Sequence, residues 1–309
     1  MRVTVNETIA TDQAAFAAAM EEHFAALGGV VGVMVHEFAT GRKLTYNHDV
    51  RFPTASTLKV PLLYEVFRQA DAGTIDLTAR VTLRHADRTP GSGVYQDLDE
   101  GLQPTIRDLA ELMITVSDNY ATDLLYRMVG RENLERTLRR FELNDTFLPL
   151  TTWQLLAHMC GADPEDPALT YEALKERLKN GPFDESGVAY AEDETNDISS
   201  PADMVRLLEL IEQGHGLTPE SRAGVIRILK NQNFSTIIPP RLPEGQGIET
   251  AHKTGSIKGV RNDVGIVYSP SLAYAVAFMS KGQADAPEAV LQMSRASRWI
   301  WDFLSEHPA

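Results

Sequence analysis

The sequence predicts an α+β fold: an antiparallel sheet of about five strands built from both termini, flanked by N- and C-terminal helices, with an all-helical lobe inserted between them. Three observations carry this. Both ends of the 309-residue chain read as β-rich runs next to one helix each, and the intervening stretch is dominated by helical periodicity. The strands near the C-terminus are also joined by connections too short for parallel crossovers.

Residues 12–27 (DQAAFAAAMEEHFAAL) place Phe16, Met20, Phe24 and Leu27 at three- and four-residue spacing, the pattern of an amphipathic helix, which Gly28-Gly29 ends. GVVGVMVHEF and GRKLTYN then read as two strands joined at Ala39-Thr40-Gly41. Residues 56–232 are read as almost wholly helical, with Pro and Gly clusters as punctuation. IETAHKTGS, NDVGIVYS and LAYAVAFMS read as a three-strand meander, and a closing helix from Glu288 to Leu304 presents Val290, Met293, Ala296, Ile300 and Phe303 on one face. Trp299, Trp301 and Phe303 are expected to dock it on the sheet. The expected division is 1–52 with 235–309 as the sheet lobe and 53–234 as the helical lobe, with a crevice between them suited to a small molecule.

Composition narrows the function. Lys+Arg 29 against Asp+Glu 43 gives a net charge of −14, which offers no general field for phosphates, so nucleic acid is not expected as a partner. The single cysteine, Cys160, excludes an internal disulfide and multi-cysteine zinc patterns, and reads as a small core residue of a helix. No apolar run approaches a membrane span. No leader is visible either, so the chain as written reads as cytoplasmic, although a chain whose leader has been removed reads the same way. G-x-S-x-G, H-E-x-x-H, Walker-A and complete G-x-G-x-x-G patterns do not occur, and neither metal nor cofactor is expected. His252 alternates to the face opposite Lys253 and reads as structural.

Three short motifs carry chemistry. Ser56-Thr57-Leu58-Lys59 precedes an apolar helical period, which sets Ser56 at a helix N-terminus with Lys59 one turn on. A serine hydroxyl needs a neighbouring base, and a lysine kept neutral by its surroundings supplies one. Ser117-Asp118-Asn119 lies between two helical runs, where the Asp caps the second helix while Ser117 relays a proton and Asn119 holds a substrate amide. Lys253-Thr254-Gly255 lies in a strand, where Lys253 and Thr254 suit a substrate carboxylate and Gly255 leaves room for a ligand. Ser256 offers its N–H as half of an oxyanion hole, with the Ser56 N–H as the other half. Taken singly, each motif is more often plain: a surface Ser–Lys pair, a capping turn, an exposed edge-strand lysine.

Together, in this order and with spacings of 61 and 136 residues, S-x-x-K, S-D-N and K-T-G form the set of class A β-lactamases and penicillin-binding proteins. The sequence resembles a serine β-lactamase-related hydrolase, nearest to class A, over roughly residues 28–281, including GSGVYQDL at 91–98 and NDISSPADM at 196–204. The resemblance implies Ser56 as the acylated nucleophile, Lys59 as its activating partner, Ser117 as proton shuttle and Asn119 as the acylamide-binding residue. It implies that Lys253, Thr254 and Arg261 receive the substrate carboxylate, and it matches Asp197 to the aspartate that closes the omega loop. Members of that family are usually periplasmic or secreted.

One departure bears on mechanism. Class A enzymes carry Glu-x-x-Leu-Asn in the omega loop, whose Glu activates the deacylating water, and this motif is absent; Glu142-Leu143-Asn144 lacks the spacer and falls upstream. The region of about 151–197 is enlarged and carries the helical patterns TTWQLLAHM and YEALKERL. Counting back from Asp197 gives Asp184, Glu185, Glu192 and Glu194 as acidic candidates, Glu185 first by spacing and Glu192 second. The expected function is hydrolysis of β-lactams through acyl-Ser56, with deacylation slow if no carboxylate serves the water. The alternatives are a peptidase acting on acyl-D-Ala-like peptides, a small-ester esterase, or a binding protein without turnover. The expected partner is a small-molecule substrate and the expected state is a monomer.

Overall fold

The structure, a computed structural model, describes residues 5–306. In chain order its elements are α1 (Val5–Phe24), β1 (Val30–Glu37), β2 (Lys43–Tyr46), β3 (Phe52–Pro53), α2 (Lys59–Asp71), α3 (Ile106–Thr115), α4 (Asn119–Val129), α5 (Arg131–Arg140), α6 (Thr152–Met159) and α7 (Tyr171–Asn180). They continue with β4 (Ile198–Ser199), α8 (Pro201–Glu212), α9 (Pro219–Lys230), β5 (Glu249–Ile257), β6 (Val260–Tyr268), β7 (Ala273–Lys281) and α10 (Ala286–Glu306). The chain forms two compact units, one holding the chain up to Thr57, Ser199–Glu209 and the chain from Ser235, the other Leu58–Ile198 and Leu210–Phe234.

The first unit contains a five-stranded sheet of order β2-β1-β7-β6-β5, every pair antiparallel. Strand alternation builds its core. Val31, Val33 and Val35 of β1, with Val276 and Phe278 of β7, join Phe16, Met20 and Phe24 of α1 and Met293, Ile300 and Trp301 of α10 in one buried cluster. Each of these large side chains contributes about 1.5–3 kcal/mol relative to exposure. Trp299 stacks on Phe303 at 5.1 Å and meets Phe16 at 5.8 Å, so the aromatic end of α10 docks on the sheet and α1.

Two boundaries differ from the sequence reading. The first helix starts at Val5, ahead of residue 12, and stops at Phe24, ahead of Leu27. The stretch read as nearly all helical contains long irregular segments, notably between α2 and α3 and between α7 and α8. Their backbone groups are satisfied by isolated bonds to distant backbone and to side chains, which no periodicity reports: Leu83 N donates to Leu102 O at 2.8 Å, and Tyr120 Oη bonds both Arg84 N and Arg84 O, at 2.7 Å each.

In the second unit α2 is buried over nearly its whole length. Glu65, fully buried on it, is held by Arg68 (2.6 and 2.7 Å), Gln69 (2.9 Å) and Thr137 (2.8 Å), so its charge is paired and its lone pairs are used. Side-chain caps start the surrounding helices: capping boxes of Thr105 with Asp108 on α3 and of Thr151 with Gln154 on α6, and Thr170 on α7. Cys160 sits half-buried at the C-cap of α6 rather than inside a helical core. The segment between residues 150 and 197 begins and ends at one place, because Phe147 and Ile198 bridge antiparallel and Asp197 Oδ1 accepts the Leu150 N–H at 3.0 Å.

Candidate active site

In the sheet unit, Ser56 lies on a 3-10 turn, Ala55–Leu58, that runs directly into α2 at Lys59. The sequence reading put Ser56 at the helix N-terminus itself. The tighter turn intervenes because Thr54 O takes both the Thr57 N–H (3.1 Å) and the Thr57 hydroxyl (2.7 Å). Ala55 sits at φ +44°, left-handed for a residue with a Cβ, a conformation costing about 1–2 kcal/mol that the surroundings must hold. Ser56 is half-buried, while its neighbours from Phe52 to Ala55 and from Thr57 to Val60 are buried.

What holds this turn is β5. A Cβ at Gly255 would lie 2.6 Å from Thr54 O and 3.0 Å from both Ser56 N and Thr57 N. The missing side chain at 255 thus admits the backbone of the turn that carries Ser56, where the sequence reading had a ligand against the strand. On β6, Asn262 Nδ2 donates to Pro53 O (2.8 Å) and Thr54 O (3.0 Å), a second clamp that the sequence analysis missed. The signal was a polar residue opening an apolar strand run.

Lys253 is fully buried although β5 is an edge strand, which removes the exposed-lysine reading; its Nζ donates to Thr254 O at 2.8 Å. Thr254 is buried and Ser256 exposed. Arg261 is half-buried, with one guanidinium nitrogen on Ile257 O (2.5 Å) and Val260 O (2.6 Å), and burial lowers its pKa. His252 is structural: its Nδ1 lies 2.8 Å from Asp263 Oδ1, both residues buried, while Asp263 Oδ2 accepts Ile238 N at 2.9 Å.

The helical unit carries Lys59, Ser117 and Asn119 together. Lys59 is fully buried, and its Nζ reaches Ser117 O at 2.8 Å, Ser117 Oγ at 2.9 Å and Asn119 Oδ1 at 2.9 Å. Burial pulls its pKa down to about 7, against the charges of Asp118 and Asp123, which pull it up. Ser117 is left-handed at φ +55°, which turns its carbonyl and hydroxyl toward the same nitrogen. Asp118 caps α4 through Ala121 N (2.9 Å), and its other oxygen takes Val94 N (2.6 Å) and Tyr95 N (2.8 Å). Asn119 opens α4 and spends one amide N–H on Pro90 O at 2.9 Å.

Asp123, one turn beyond Asn119, was not singled out by sequence, though a carboxylate within an apolar helical run is a signal. It is buried, accepts Thr89 Oγ1 (2.7 Å), Thr152 N (2.6 Å) and Trp153 N (3.0 Å), and its pKa is raised by burial. The start of the 151–197 segment is thereby fixed to α4. Glu185 and Glu192 are exposed; Glu185 lies on the turn of Asp184–Gly187, with Tyr190 among its neighbours. Neither is among the groups that Lys59 Nζ bonds. Among the described residues no cluster of His, Cys, Asp and Glu is arranged to hold a metal ion, and no helix is long and apolar enough to cross a membrane.

The α+β scaffold with its five-stranded antiparallel sheet and helical unit is that of the serine β-lactamase class. The profile of the β-lactamase enzyme family matches residues 15–304, and the chain belongs to that family. Its fold is that of class A β-lactamases. The chain is similar to a β-lactamase from Sphaerobacter thermophilus, with TM-score 0.77 and 30% identity over 96% of this chain and 100% of that one. It is also similar to PBP-A, solved in a mutant form as an acyl-enzyme complex with penicillin G, with TM-score 0.77 and 25% identity over 95% and 97%. In sequence it is 37% identical to β-lactamase L2 of Stenotrophomonas maltophilia over 123 residues, a match spanning 40% of this chain and 38% of that relative.

Proposed function

We propose that this protein is a serine hydrolase that opens β-lactams through a covalent acyl-Ser56 intermediate. The observation that carries the reading is Lys59, buried and three-coordinated, with its pKa brought down to about 7, so that a neutral amine exists at neutral pH to take a proton. Ser56 Oγ attacks the lactam carbonyl carbon as its proton passes to Lys59, directly or through Ser117. The carbon–nitrogen bond then breaks, and Ser117 delivers the proton to the leaving nitrogen. The N–H groups of Ser56 and Ser256 receive the oxyanion, and Lys253, Thr254 and Arg261 receive the substrate carboxylate. Asn119 donates its remaining N–H to the acylamide carbonyl. Water then cleaves the ester, restoring the Ser56 hydroxyl and releasing the ring-opened acid.

Slow deacylation is the form of this reading that the loop favours. Asp123 and Asp197 spend carboxylate oxygens on backbone N–H groups, and Glu185 and Glu192, the candidates for the water-activating base, are exposed. A long-lived acyl-enzyme would suit a penicillin-binding role, and PBP-A, one of the similar structures, was captured as such an adduct in a mutant form. Intact-protein mass spectrometry with a penicillin and a chromogenic cephalosporin tests the proposal. A single adduct absent from Ser56→Ala is expected, and turnover persisting in Ser56→Ala would sink it.

A further inference from the structure

Ser92 lies exposed on the loop that carries Val94 and Tyr95 to Asp118, yet its hydroxyl faces inward. It donates to the Ser117 carbonyl at 2.7 Å and stands 3.2 Å from Asn119 Oδ1. Those are two of the three oxygens that Lys59 Nζ reaches. The backbone returns the contact, with Asn119 N donating to Ser92 O at 3.0 Å. Glycines on either side permit so close an approach: Gly91 at φ +103° would set a Cβ 2.7 Å from Asn119 Nδ2, and Gly93 at φ +110° would set one 2.4 Å from Asp118 Cα. We infer that Ser92 is a positioning residue of the site, fixing the Ser117 carbonyl and the Asn119 amide oxygen against Lys59 and sharing their lone pairs with it.

An ammonium asks for three acceptors, whereas an amine needs two and offers a lone pair. Acceptors partly spent on the Ser92 hydroxyl therefore favour the amine, the form the acylation step uses. The charged groups facing Lys59 are Asp118 and Asp123, both on α4 or its cap, and both favour the ammonium. Ser92 works in the opposite direction to them, alongside burial. The inference rests on the acyl-Ser56 reading for its consequence in catalysis, but not for its effect on Lys59.

The test is the titration of Lys59 by NMR in protein carrying 13C-labelled lysine, assigned with Lys59→Arg, together with the pH profile of adduct formation with penicillin. In Ser92→Ala the Lys59 midpoint is expected to rise by about half a pH unit or more. Adduct formation at neutral pH is expected to fall about 2–5-fold and to recover as pH rises, since with a midpoint near 7 a rise of half to one pH unit cuts the fraction of amine at pH 7 by about 2–5-fold. Ser92→Thr keeps the hydroxyl and is expected to restore both. Because Ser92 is exposed, the variants fold, which a thermal melt checks. A midpoint that stays or falls, a loss of rate equal at every pH, or Thr behaving as Ala overturns the inference. Absence of an adduct in the wild type would instead defeat the acyl-Ser56 reading, and the NMR midpoint would still decide the role of Ser92.

Discussion

Asp197 Oδ1 accepts the Leu150 N–H at 3.0 Å, across 47 residues of sequence. With the Phe147–Ile198 bridge beside it, this bond closes the neck of the 150–197 loop, so that α6 and α7 lie on a segment whose two ends meet. Removing it leaves a buried N–H without its acceptor, at a cost of about 1–3 kcal/mol. Asp197→Ala is expected to lower the denaturant midpoint accordingly and to speed proteolysis between Gly161 and Asp193. Asp197→Asn, which keeps an acceptor, is expected to lose less. Equal stability of the Ala variant and the wild type would remove the neck from the account of the loop.

Lys59 sets a pH dependence of rate and, in the same direction but over a higher range, one of stability. Its folded pKa of about 7 lies below the ordinary 10.5, so acylation is expected to rise with pH through about 7 as the amine forms. For stability the unfolded chain binds the extra proton between the two values. The cost of burying the charge is therefore complete below about 7 and is relieved as pH climbs toward 10.5. Lys59→Met is expected to abolish the adduct while gaining about 1–3 kcal/mol at pH 6 and much less at pH 10. Unfolding titrations at the two pH values give the comparison, and a gain larger at pH 10 contradicts the assignment.

Asp123 pulls the Lys59 pKa up and also anchors Thr152 and Trp153. Asp123→Asn removes the charge and puts an N–H donor where the carboxylate accepted. The expected result is a loss of about 1–2 kcal/mol, with the acylation limb moved to lower pH. Ser92→Ala moves that limb the other way, so measuring both profiles separates the two influences on one amine. A limb that moves upward in Asp123→Asn is the contrary result.

How much of this was legible in the sequence follows from what kind of contact each feature needs. The sheet and its two flanking helices were readable because Val31, Val33 and Val35 alternate and Met293, Ala296 and Ile300 recur at helical spacing. The motifs marked Ser56, Lys59, Ser117 and Lys253 because covalent spacing is written in the chain. The contacts of Ser92, Asp123 and Asn262 were not, since each depends on which distant carbonyl or N–H comes within 3 Å. The same holds for Gly255, whose neighbour proved to be the backbone of Thr54–Thr57.

That neighbour makes Gly255 a sensitive position. A methyl group there would stand 2.6 Å from the Thr54 carbonyl oxygen, and because the crowded atoms are backbone, the turn carrying Ser56 has to move. Overpacking of this kind costs about 1–3 kcal/mol, and, for Ser56 as the proposed nucleophile, a displacement near 1 Å costs about 100-fold in rate. Gly255→Ala is expected to show both, by thermal melt and by adduct formation. Gly28→Ala, with open space around its added carbon, is the matched control and is expected to show neither. Full acylation in Gly255→Ala would mean that the turn is held by Asn262 alone.

The last prediction separates the two halves of the reaction. In the proposed reaction acylation draws on Ser56, Lys59 and Ser117, and Glu185 and Glu192, both exposed, are not among the groups that Lys59 Nζ bonds, whereas clearance of the ester needs a base for water. If Glu185 is that base, Glu185→Gln leaves the rate of adduct formation as it was and prolongs the adduct by about 100-fold or more, the usual contribution of a general base. If the loop supplies no carboxylate, neither Glu185→Gln nor Glu192→Gln changes the adduct's lifetime, which is then already long in the wild type. The decay of the adduct mass in the three proteins decides between a turning-over hydrolase and one that stays acylated. A wild-type adduct that is short-lived and indifferent to both substitutions would place the base elsewhere in the segment closed by Asp197 and Leu150.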